Sequence, residues 1–224
     1  MQNKKGFLSK LKERVPDMLQ LRNLGKRYGK KILFQNLHLT IEDGESVAII
    51  GKSGSGKSTL LNIMSLIEQP SSGKICWDGK EYTAGSRQAA LKMRKEIGYL
   101  FQNYALIDQD TVEKNIRIGL KYNTEIRDKK EAIRNALETV GLSGMEKQKI
   151  YTLSGGEQQR VALARLLVKP CSVIFADEPT GNLDAENGKK VMDILFDMNR
   201  SGKTIVVVTH DENLLYRFQK VVKL

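Results

Sequence analysis

The sequence predicts an α/β fold with a mainly parallel sheet, and three observations support this prediction. Short apolar runs such as Val47–Ile50 and Ile205–Val208 have the length of buried parallel strands. Runs of this kind alternate along the chain with segments typical of helices. A glycine-rich loop, residues 51–56, separates one such strand from the helix that follows it. The 224 residues suffice for one large domain or for a core with an inserted subdomain.

In the first part of the chain, one helix is predicted among four strands. The strands are Leu19–Leu21, Leu37–Ile41, Ser46–Ile50 and Lys74–Trp77, and the helix is Lys57–Leu66. The helix begins where the glycine-rich loop ends. Asp78 and Gly79, directly after the fourth strand, are a turn signal that predicts a hairpin and therefore a small antiparallel β subdomain.

The second part of the chain is predicted to carry an inserted helical subdomain, roughly residues 103–165, before the core resumes. The helices are Val112–Leu120, Lys129–Val140, Gly155–Val168 and Ala185–Asn199, and the strands are Ile97–Phe101, Val173–Ala176 and Thr204–Thr209. Asp184 is suited to cap the last helix. Thr204–Thr209 is predicted to be the final core strand.

Residues 1–16 are predicted to form a basic extension. Lysine and arginine alternate there with apolar residues near helical spacing, and Pro16 ends the segment. A basic amphipathic helix lying on a membrane fits this pattern, and so does a frayed, solvated tail.

Composition excludes some classes of protein and leaves others open. Hydrophobic residues make up 40% and charged residues 28%, an ordinary balance for a globular protein with a core. No run approaches the roughly 20 apolar residues of a membrane span, so any role at a membrane is predicted to be peripheral. The net charge of +11 fits nucleic acid, an anionic membrane surface or simply a basic soluble protein. Two distant cysteines, Cys76 and Cys171, indicate buried thiols in a reducing cytoplasm.

The strongest motif is a phosphate-binding loop between a strand and a helix. It consists of Gly51, Lys52, Ser53, Gly54, Ser55, Gly56, Lys57 and Ser58, with Thr59 next. Glycines let successive N–H groups point at phosphate oxygens, and the helix start adds partial positive charge. The Lys57 ammonium is suited to the β- and γ-phosphates and the Ser58 hydroxyl to Mg²⁺. The alternative, a glycine-rich turn that binds nothing, does not explain the flanking strand and helix.

An acidic pair ends the apolar strand Val173–Ala176. Ligands of parallel sheets bind at the carboxyl ends of strands, so Asp177 and Glu178 are predicted to lie beside the phosphate loop. Asp177 suits Mg²⁺, directly or through water, and Glu178 suits the attacking water as a general base or an orienting group. An exposed acidic turn before Pro179 is the alternative interpretation.

A third motif identifies the chain as resembling the ABC ATPases. Residues 153–160 read Leu-Ser-Gly-Gly-Glu-Gln-Gln-Arg, which is similar to the signature motif of that family. Ser154, Gly155, Gly156 and Glu157 open a helix and form a second anion-binding N-terminus. The resemblance implies that two copies pair head to tail, so that this helix start contacts the nucleotide of the partner copy. Residues 17–224 are then predicted to be the ATP-binding domain, built on the core of the P-loop NTPases.

The resemblance implies roles for four further residues. Tyr28 resembles the aromatic residue that stacks on adenine, and Gln102 the glutamine that contacts Mg²⁺ and the attacking water. Asp184 lies in the segment that crosses the dimer interface. His210 resembles the histidine that contacts the γ-phosphate. Taken alone, each of these residues also fits a structural or surface role.

Residues 177–184, Asp-Glu-Pro-Thr-Gly-Asn-Leu-Asp, narrow the resemblance to one branch. That branch contains ATPases of macrolide exporters, lipoprotein release, bacteriocin and peptide export, and cell division. It implies an ATPase with ATP and Mg²⁺ as cofactors, bound peripherally to the inner face of the membrane. It also implies a separate membrane permease as partner, with export of a peptide, bacteriocin or similar cargo as the preferred function.

Several alternatives stay open at this point. Residues 103–112 depart from the leucine-rich, proline-containing stretch usual in the branch, which leaves the partner's identity open. A cell-division or envelope role, a cofactor-assembly ATPase and a binding module without turnover use the same motifs. Nucleic acid is an unlikely partner, because the sequence lacks coiled-coil inserts, zinc-binding cysteines and tandem cassettes.

Overall fold

The computed structural model describes residues 17–181 and 183–224. The predicted basic extension, residues 1–16, lies outside the described residues, as does Asn182. The strands are β1 Asp17–Tyr28, β2 Lys31–Glu42, β3 Ser46–Ile50, β4 Ser72–Trp77, β5 Lys80–Tyr82, β6 Ile97–Leu100, β7 Val173–Asp177, β8 Thr204–Val208 and β9 Lys220–Lys223. The α-helices are α1 Lys57–Met64, α2 Arg87–Lys95, α3 Val112–Gly119, α4 Lys129–Thr139, α5 Gly155–Leu167 and α6 Ala185–Arg200. Short 3-10 helices occupy Leu120–Tyr122, Ile150–Thr152 and Glu212–Arg217.

A five-stranded parallel sheet forms the centre of the fold, in the order β6-β7-β8-β3-β9. Asp177 at the end of β7 pairs with Val208 of β8, and Val208 also pairs with Ile49 of β3. The carboxyl ends of these three strands therefore lie side by side. This register confirms the predicted α/β fold and brings the segments after β3, β7 and β8 to one edge of the sheet.

A second sheet is antiparallel, with the order β2-β1-β4-β5. β4 and β5 form the hairpin that Asp78 and Gly79 predicted, and Trp77 pairs with Lys80 across it. β1 and β2 are each 12 residues long, much longer than the predicted strands at 19–21 and 37–41. Many residues of β2 are exposed, and polar side chains such as Gln35 and Asn36 interrupt its apolar residues, which shortens the strand that the sequence predicts.

Three helices, α3, α4 and α5, pack together in the region between β6 and β7. Side chains such as Ile116, Leu137 and Leu163 are fully buried among them. The predicted helices of this region agree with α3, α4 and α5 to within one residue at each end. Local caps support these helices, since Thr111, Asp128 and Ser154 each accept a backbone N–H in the first turn.

Two buried clusters cover the two faces of the parallel sheet. One joins the sheet to α1 and the antiparallel strands, and there Trp77 meets Phe175 edge to face at 6.1 Å between ring centroids. The other joins the opposite face to α3, α4, α5 and α6. Cys76 and Cys171 are buried free thiols, as predicted. Across residues 17–181 and 183–224, no helix combines the length and apolar content needed to cross a bilayer.

Two elements were missed by the sequence analysis. α2 is short and basic, with Ala89 and Lys92 as its buried residues, so it has too few apolar residues for a buried helix to be predicted from the sequence. β9 alternates half-buried and exposed residues and pairs with β3 at the edge of the sheet. The expectation that Thr204–Thr209 is the final strand was therefore wrong, because four residues of an edge strand give too short an apolar pattern to recognise.

Candidate functional site

The glycine-rich loop connects β3 to α1 at the carboxyl edge of the parallel sheet. Gly51, Gly54 and Gly56 have φ values of 155°, 75° and 98°, which residues other than glycine rarely adopt. Lys57 opens α1 and is buried, and its Nζ donates to the carbonyls of Gly51 at 3.0 Å and Lys52 at 3.2 Å. The ammonium thus lies inside the curl of the loop.

One side chain of this loop lacks a partner. The Ser55 hydroxyl is buried and makes no hydrogen bond with the described residues. Residues Lys52, Ser53 and Gly54 are exposed, so the outer side of the loop is accessible. A buried hydroxyl without a partner, beside a lysine and a helix N-terminus, fits a site for phosphate oxygens.

Asp177 and Ser58 meet below the loop. The Ser58 hydroxyl donates to Asp177 Oδ1 at 3.0 Å, although the residues are 119 positions apart. Asp177 is 8% exposed, and burial raises the pKa of its carboxyl despite the hydrogen bond from Ser58. A buried carboxylate beside a hydroxyl suits Mg²⁺, which proteins typically hold through one or two carboxylates and substrate phosphates. The described residues contain no cluster of three or more acidic, histidine or cysteine side chains that could together hold a metal ion.

Glu178 lies between two of the predicted site residues. Gln102 Nε2 donates to Glu178 Oε2 at 3.2 Å, and His210 Nδ1 lies 3.2 Å from Glu178 Oε1. Gln102 follows β6 and His210 follows β8, so the three strand ends bring these side chains together. Gln102 is therefore hydrogen-bonded to Glu178, whereas Asp177 accepts its hydrogen bond from the Ser58 hydroxyl.

The backbone of Glu178 is held in an uncommon conformation. Its φ is 48°, and non-glycine residues with such values are often found at functional sites. The Glu178 N–H donates to the Val208 carbonyl at 3.0 Å, and its carbonyl accepts from Gly181 N at 3.1 Å. These contacts fix the direction in which the carboxylate leaves the sheet.

Tyr28 lies at the end of β1 and is 50% exposed. Its hydroxyl donates to Glu68, and this hydrogen bond is the main reason that the pKa of Tyr28 is raised. The Lys26 ammonium lies 4.9 Å from the ring centroid. The nearby Thr59 side chain acts in the opposite direction and lowers the pKa of Tyr28, so the first turn of α1 lies beside this residue.

The start of α5 forms a self-contained cap. The Ser154 hydroxyl accepts from Glu157 N at 3.3 Å, and Ser154 N donates to Glu157 Oε2 at 2.8 Å, a complete capping box. The side-chain hydrogen bonds of both residues stay within this cap. A Cβ at Gly155 or Gly156 has its closest contacts at 3.4 Å or beyond, with Tyr104 and Leu183.

Asp184 caps α6 and connects to α5. It accepts from Asn187 N at 2.8 Å, and Asn187 in turn accepts a hydrogen bond from Arg160 at 2.8 Å. Asp184 and Asn187, at the start of α6, therefore lie close to α5, the helix that begins after Ser154.

Two side chains without a predicted role also hold this region together. Gln159 is 2% exposed and its Nε2 donates to the Pro179 carbonyl at 2.9 Å. Arg165 donates to the carbonyls of Tyr104 at 2.7 Å and Ala105 at 2.6 Å, two residues with positive φ. The sequence shows Gln159 only as one of four consecutive polar residues, 157–160, and no local pattern indicates its partner.

A family model described as ABC transporter matches residues 34–181. The uncharacterized ABC transporter ATP-binding protein MJ1508 of Methanocaldococcus jannaschii is 41% identical over 92% of this chain and 95% of its own length. The lipoprotein-releasing system ATP-binding protein LolD of Oleidesulfovibrio alaskensis is 39% identical over 88% of both chains. The macrolide export ATP-binding/permease protein MacB of Escherichia coli is 40% identical over 92% of this chain, which spans 33% of MacB.

The fold is also similar to that of a solved cassette. The dimeric structure of MJ0796, a bacterial ABC transporter cassette, is 36% identical and superposes with a TM-score of 0.85, covering 92% of this chain and 94% of that one. A second structure of MJ0796, a dimeric post-hydrolysis state bound to ADP and Pi, gives a TM-score of 0.84 at 35% identity, with the same coverage.

Proposed function

The chain belongs to the ABC transporter family as an ATP-binding and ATP-hydrolysing subunit of the MacB and LolD type, and from this premise we propose how its residues divide the work. The proposal rests on the contacts of Gln102 and His210 with the Glu178 carboxylate, next to Asp177 and the glycine-rich loop. Glu178 is the group that orients the attacking water and accepts its proton. Residues 17–224 form the ATP-binding domain, with the helical subdomain at about 103–165.

ATP binding is assigned to residues on two sides of α1. Tyr28 offers a half-exposed ring for adenine, with Thr59 of α1 nearby. The loop N–H groups, the Lys57 ammonium and the free Ser55 hydroxyl face the phosphates. Ser58, Asp177 and Gln102 are the residues that would hold Mg²⁺, which when bound supplies positive charge for the phosphate oxygens.

The chemistry assigned to the protein is positioning and charge stabilisation. Phosphoryl transfer passes through a transition state with charge spread over the phosphoryl oxygens. Lys57 and His210 donate to that charge, while Glu178 removes the proton of the water. Gln102 holds the Glu178 carboxylate until the water takes its place.

The second half of the site is assigned to another copy of the chain. Within one subunit, the Ser154 cap is satisfied locally and its side-chain bonds do not involve the glycine-rich loop. We therefore assign Ser154, Gly155, Gly156 and Glu157 to the nucleotide of a partner copy in a head-to-tail homodimer, with Asp184 at the interface. MJ0796 is dimeric, with ADP and Pi in one of its structures.

A membrane permease is the second proposed partner. A groove of about 360 Å³ runs between β6, α3 and α5, and most of its lining is apolar, including Met93, Tyr99, Phe101, Ile118 and Leu166. Arg94, Arg165 and Lys169 also line it, and no carboxylate does. An apolar helix with an acidic residue, on the inner side of a membrane subunit, is the segment that fits. Recovery of the chain with an integral membrane protein from solubilised membranes tests this docking.

The transport cargo is assigned by analogy alone. LolD is named for lipoprotein release and MacB for macrolide export. We place a peptide or bacteriocin first, with the chain bound at the inner face of the membrane. The companion protein recovered with it identifies the process, since a cell-division companion would contradict export.

Glu178→Gln tests the assignment of the catalytic group. The variant keeps the size of the side chain but lacks the charge that accepts a proton, so phosphate release should fall by about 100-fold or more. ATP with magnesium should still drive two copies together, measured by light scattering. Glu186→Gln, on an exposed carboxylate of α6, is the matched control and should keep normal turnover.

Two outcomes would contradict the proposal separately. Near-normal phosphate release by Glu178→Gln would remove Glu178 from its assigned role. A protein that hydrolyses ATP but stays monomeric at every concentration, alone and with its membrane partner, would contradict the head-to-tail site.

A further inference from the structure

Helix α5 is tied to the segment after Glu178 at two successive residues. Gln159 donates to the Pro179 carbonyl at 2.9 Å, with both groups buried. Arg160 donates to Asn187 at 2.8 Å, and Asn187 is bonded to Asp184 at the start of α6. The start of α5 and the loop that carries Glu178 are therefore connected by side chains within one subunit.

The contact of Gln159 is the more direct of the two. Pro179 is the residue next to Glu178, whose own N–H is bonded to β8 and whose carbonyl accepts from Gly181. The Pro179 carbonyl, held from the other side by Gln159, leaves the backbone at Glu178 little freedom. Arg160, by contrast, reaches a side chain on α6 and lies in a partly exposed position.

We propose that Gln159 is a positioning residue that links the two ATP sites of the dimer. The inference rests on the proposed function. In a head-to-tail dimer, Ser154 on α5 contacts the nucleotide of the partner, whereas Glu178 of the same chain acts on its own nucleotide. Gln159 lies five residues after Ser154 on the same helix. It donates a hydrogen bond to Pro179, the residue that follows Glu178. A shift of α5 on the partner's nucleotide is therefore passed to the carboxylate at the chain's own site.

Gln159→Met is the variant that tests this link. Methionine keeps the length and volume of the side chain but lacks the N–H that holds Pro179. Small misplacements of a reacting group lower rates by up to about 100-fold, and we expect kcat to fall by about 10-fold or more. The Hill coefficient for ATP should fall to about one, because coupling between two sites is what raises it. Affinity of the single subunit for ADP should stay within about twofold, since no nucleotide-binding residue is changed.

Asn199→Leu is the matched control. The Asn199 amide donates to the carbonyls of Gly44 at 2.9 Å and Lys203 at 2.7 Å, at the opposite edge of the parallel sheet. Its loss removes the same kind of side-chain contact and lowers thermal stability without changing kcat or the Hill coefficient. If Gln159→Met fails to fold, Gln159→Asn carries the same test, because it draws the amide back by one methylene.

The outcomes separate this inference from the proposed function. If Glu178→Gln fails to dimerise with ATP, the head-to-tail site is wrong and the link falls with it. If Glu178→Gln dimerises but Gln159→Met keeps the kcat and Hill coefficient of the unmodified chain, only the link is wrong. A parallel loss of kcat, ADP affinity and thermal stability in Gln159→Met would also overturn the link, because it indicates a structural role.

Discussion

The two regions of this subunit to which we assign anion binding, the carboxyl edge of the parallel sheet and the start of α5, are built in opposite ways. At the carboxyl edge of the parallel sheet, Ser58 contacts Asp177 from 119 positions away and Gln102 contacts Glu178 from 76. At the start of α5, Ser154 and Glu157 contact each other from three positions away. The first region exists only in the folded sheet, whereas the second is a local turn of helix.

The two regions also differ in how well their polar groups are satisfied. The edge of the sheet contains the unpartnered Ser55 hydroxyl and a buried carboxyl, Asp177, whose pKa is raised by burial. At the start of α5 every cap bond is formed, and the pKa of Glu157 is lowered by hydrogen bonds from Ser154. We infer that the edge is completed by its own ligand, while the helix start is stable before any partner arrives.

Ser154→Ala should have the largest effect of the substitutions that test this difference between the two regions. Loss of a hydrogen bond to a charged group costs about 1.5–3 kcal/mol, equivalent to about 10- to 100-fold in affinity or rate. We expect that loss in turnover and in ATP-driven dimerisation. Binding of ADP to the isolated subunit should not change, because Ser154 makes no contact with its own nucleotide in the proposed dimer.

Ser86→Ala controls for the helix cap. Ser86 caps α2 as Ser154 caps α5, accepting from Ala89 N at 3.1 Å. Both alanine variants should lose about 1 kcal/mol of stability, the usual contribution of such a cap. Equal turnover of the two variants would mean that Ser154 is only a cap.

The contrast also explains how much of the site could be predicted from the sequence. The helix start after Ser154 and the glycine-rich loop are local patterns, and the structure has both where the sequence predicts them. The contact between Asp177 and Ser58 could be anticipated, because the carboxyl ends of the strands in a parallel sheet lie at the same edge. The contact of Gln159 with Pro179 could not, because it depends on how α5 packs against β7 and nothing local to Gln159 indicates it.

The fold shows the same division between local and long-range information. Fully buried strands such as β7 and β8 were predicted almost to the residue, because burial of both faces gives a nearly continuous apolar run. β1 and β2 were found only in part, since one face of β2 is largely exposed. The basic helix α2 was missed because only two of its nine residues are buried.

Asp177→Asn tests the difference between the two regions by its effect on the thermal stability of the chain. A carboxyl whose folded pKa is raised destabilises the folded chain once it ionises, so a neutral amide should be more stable at neutral pH. A gain of about 1 kcal/mol corresponds to a Tm higher by about 2–4 °C for a domain of this size. ATP turnover should be lost at the same time, because Asp177→Asn removes the negative charge of the carboxylate through which proteins typically hold Mg²⁺.

The pH dependence gives this prediction a specific sign. As the pH falls through the raised pKa of Asp177 and then below the ordinary pKa of an aspartate, the Asp177 carboxyl of the unmodified chain also becomes neutral. The difference in Tm between the two proteins should then disappear. Asp197→Asn, on an exposed residue paired with Arg200, is the control and should change Tm little at any pH. A lower Tm for Asp177→Asn at neutral pH would contradict the picture of an unsatisfied edge.

Glu157→Gln should have the smallest effect, because it perturbs the region that is already satisfied. Its lowered pKa means that Glu157 stabilises the fold above the ordinary pKa of a glutamate, and that this contribution is lost as the pH falls through the folded pKa. The residue is near the surface, and a charge at a helix start contributes about 0.3–1 kcal/mol there, with solvent screening favouring the lower end. Glutamine still accepts from Ser154 N, so we expect unfolding to shift slightly at neutral pH and not at all in acid, as followed by thermal melts. A loss of stability as large as that of Ser154→Ala would show that the cap depends on the charge of Glu157 rather than on the geometry of its hydrogen bonds.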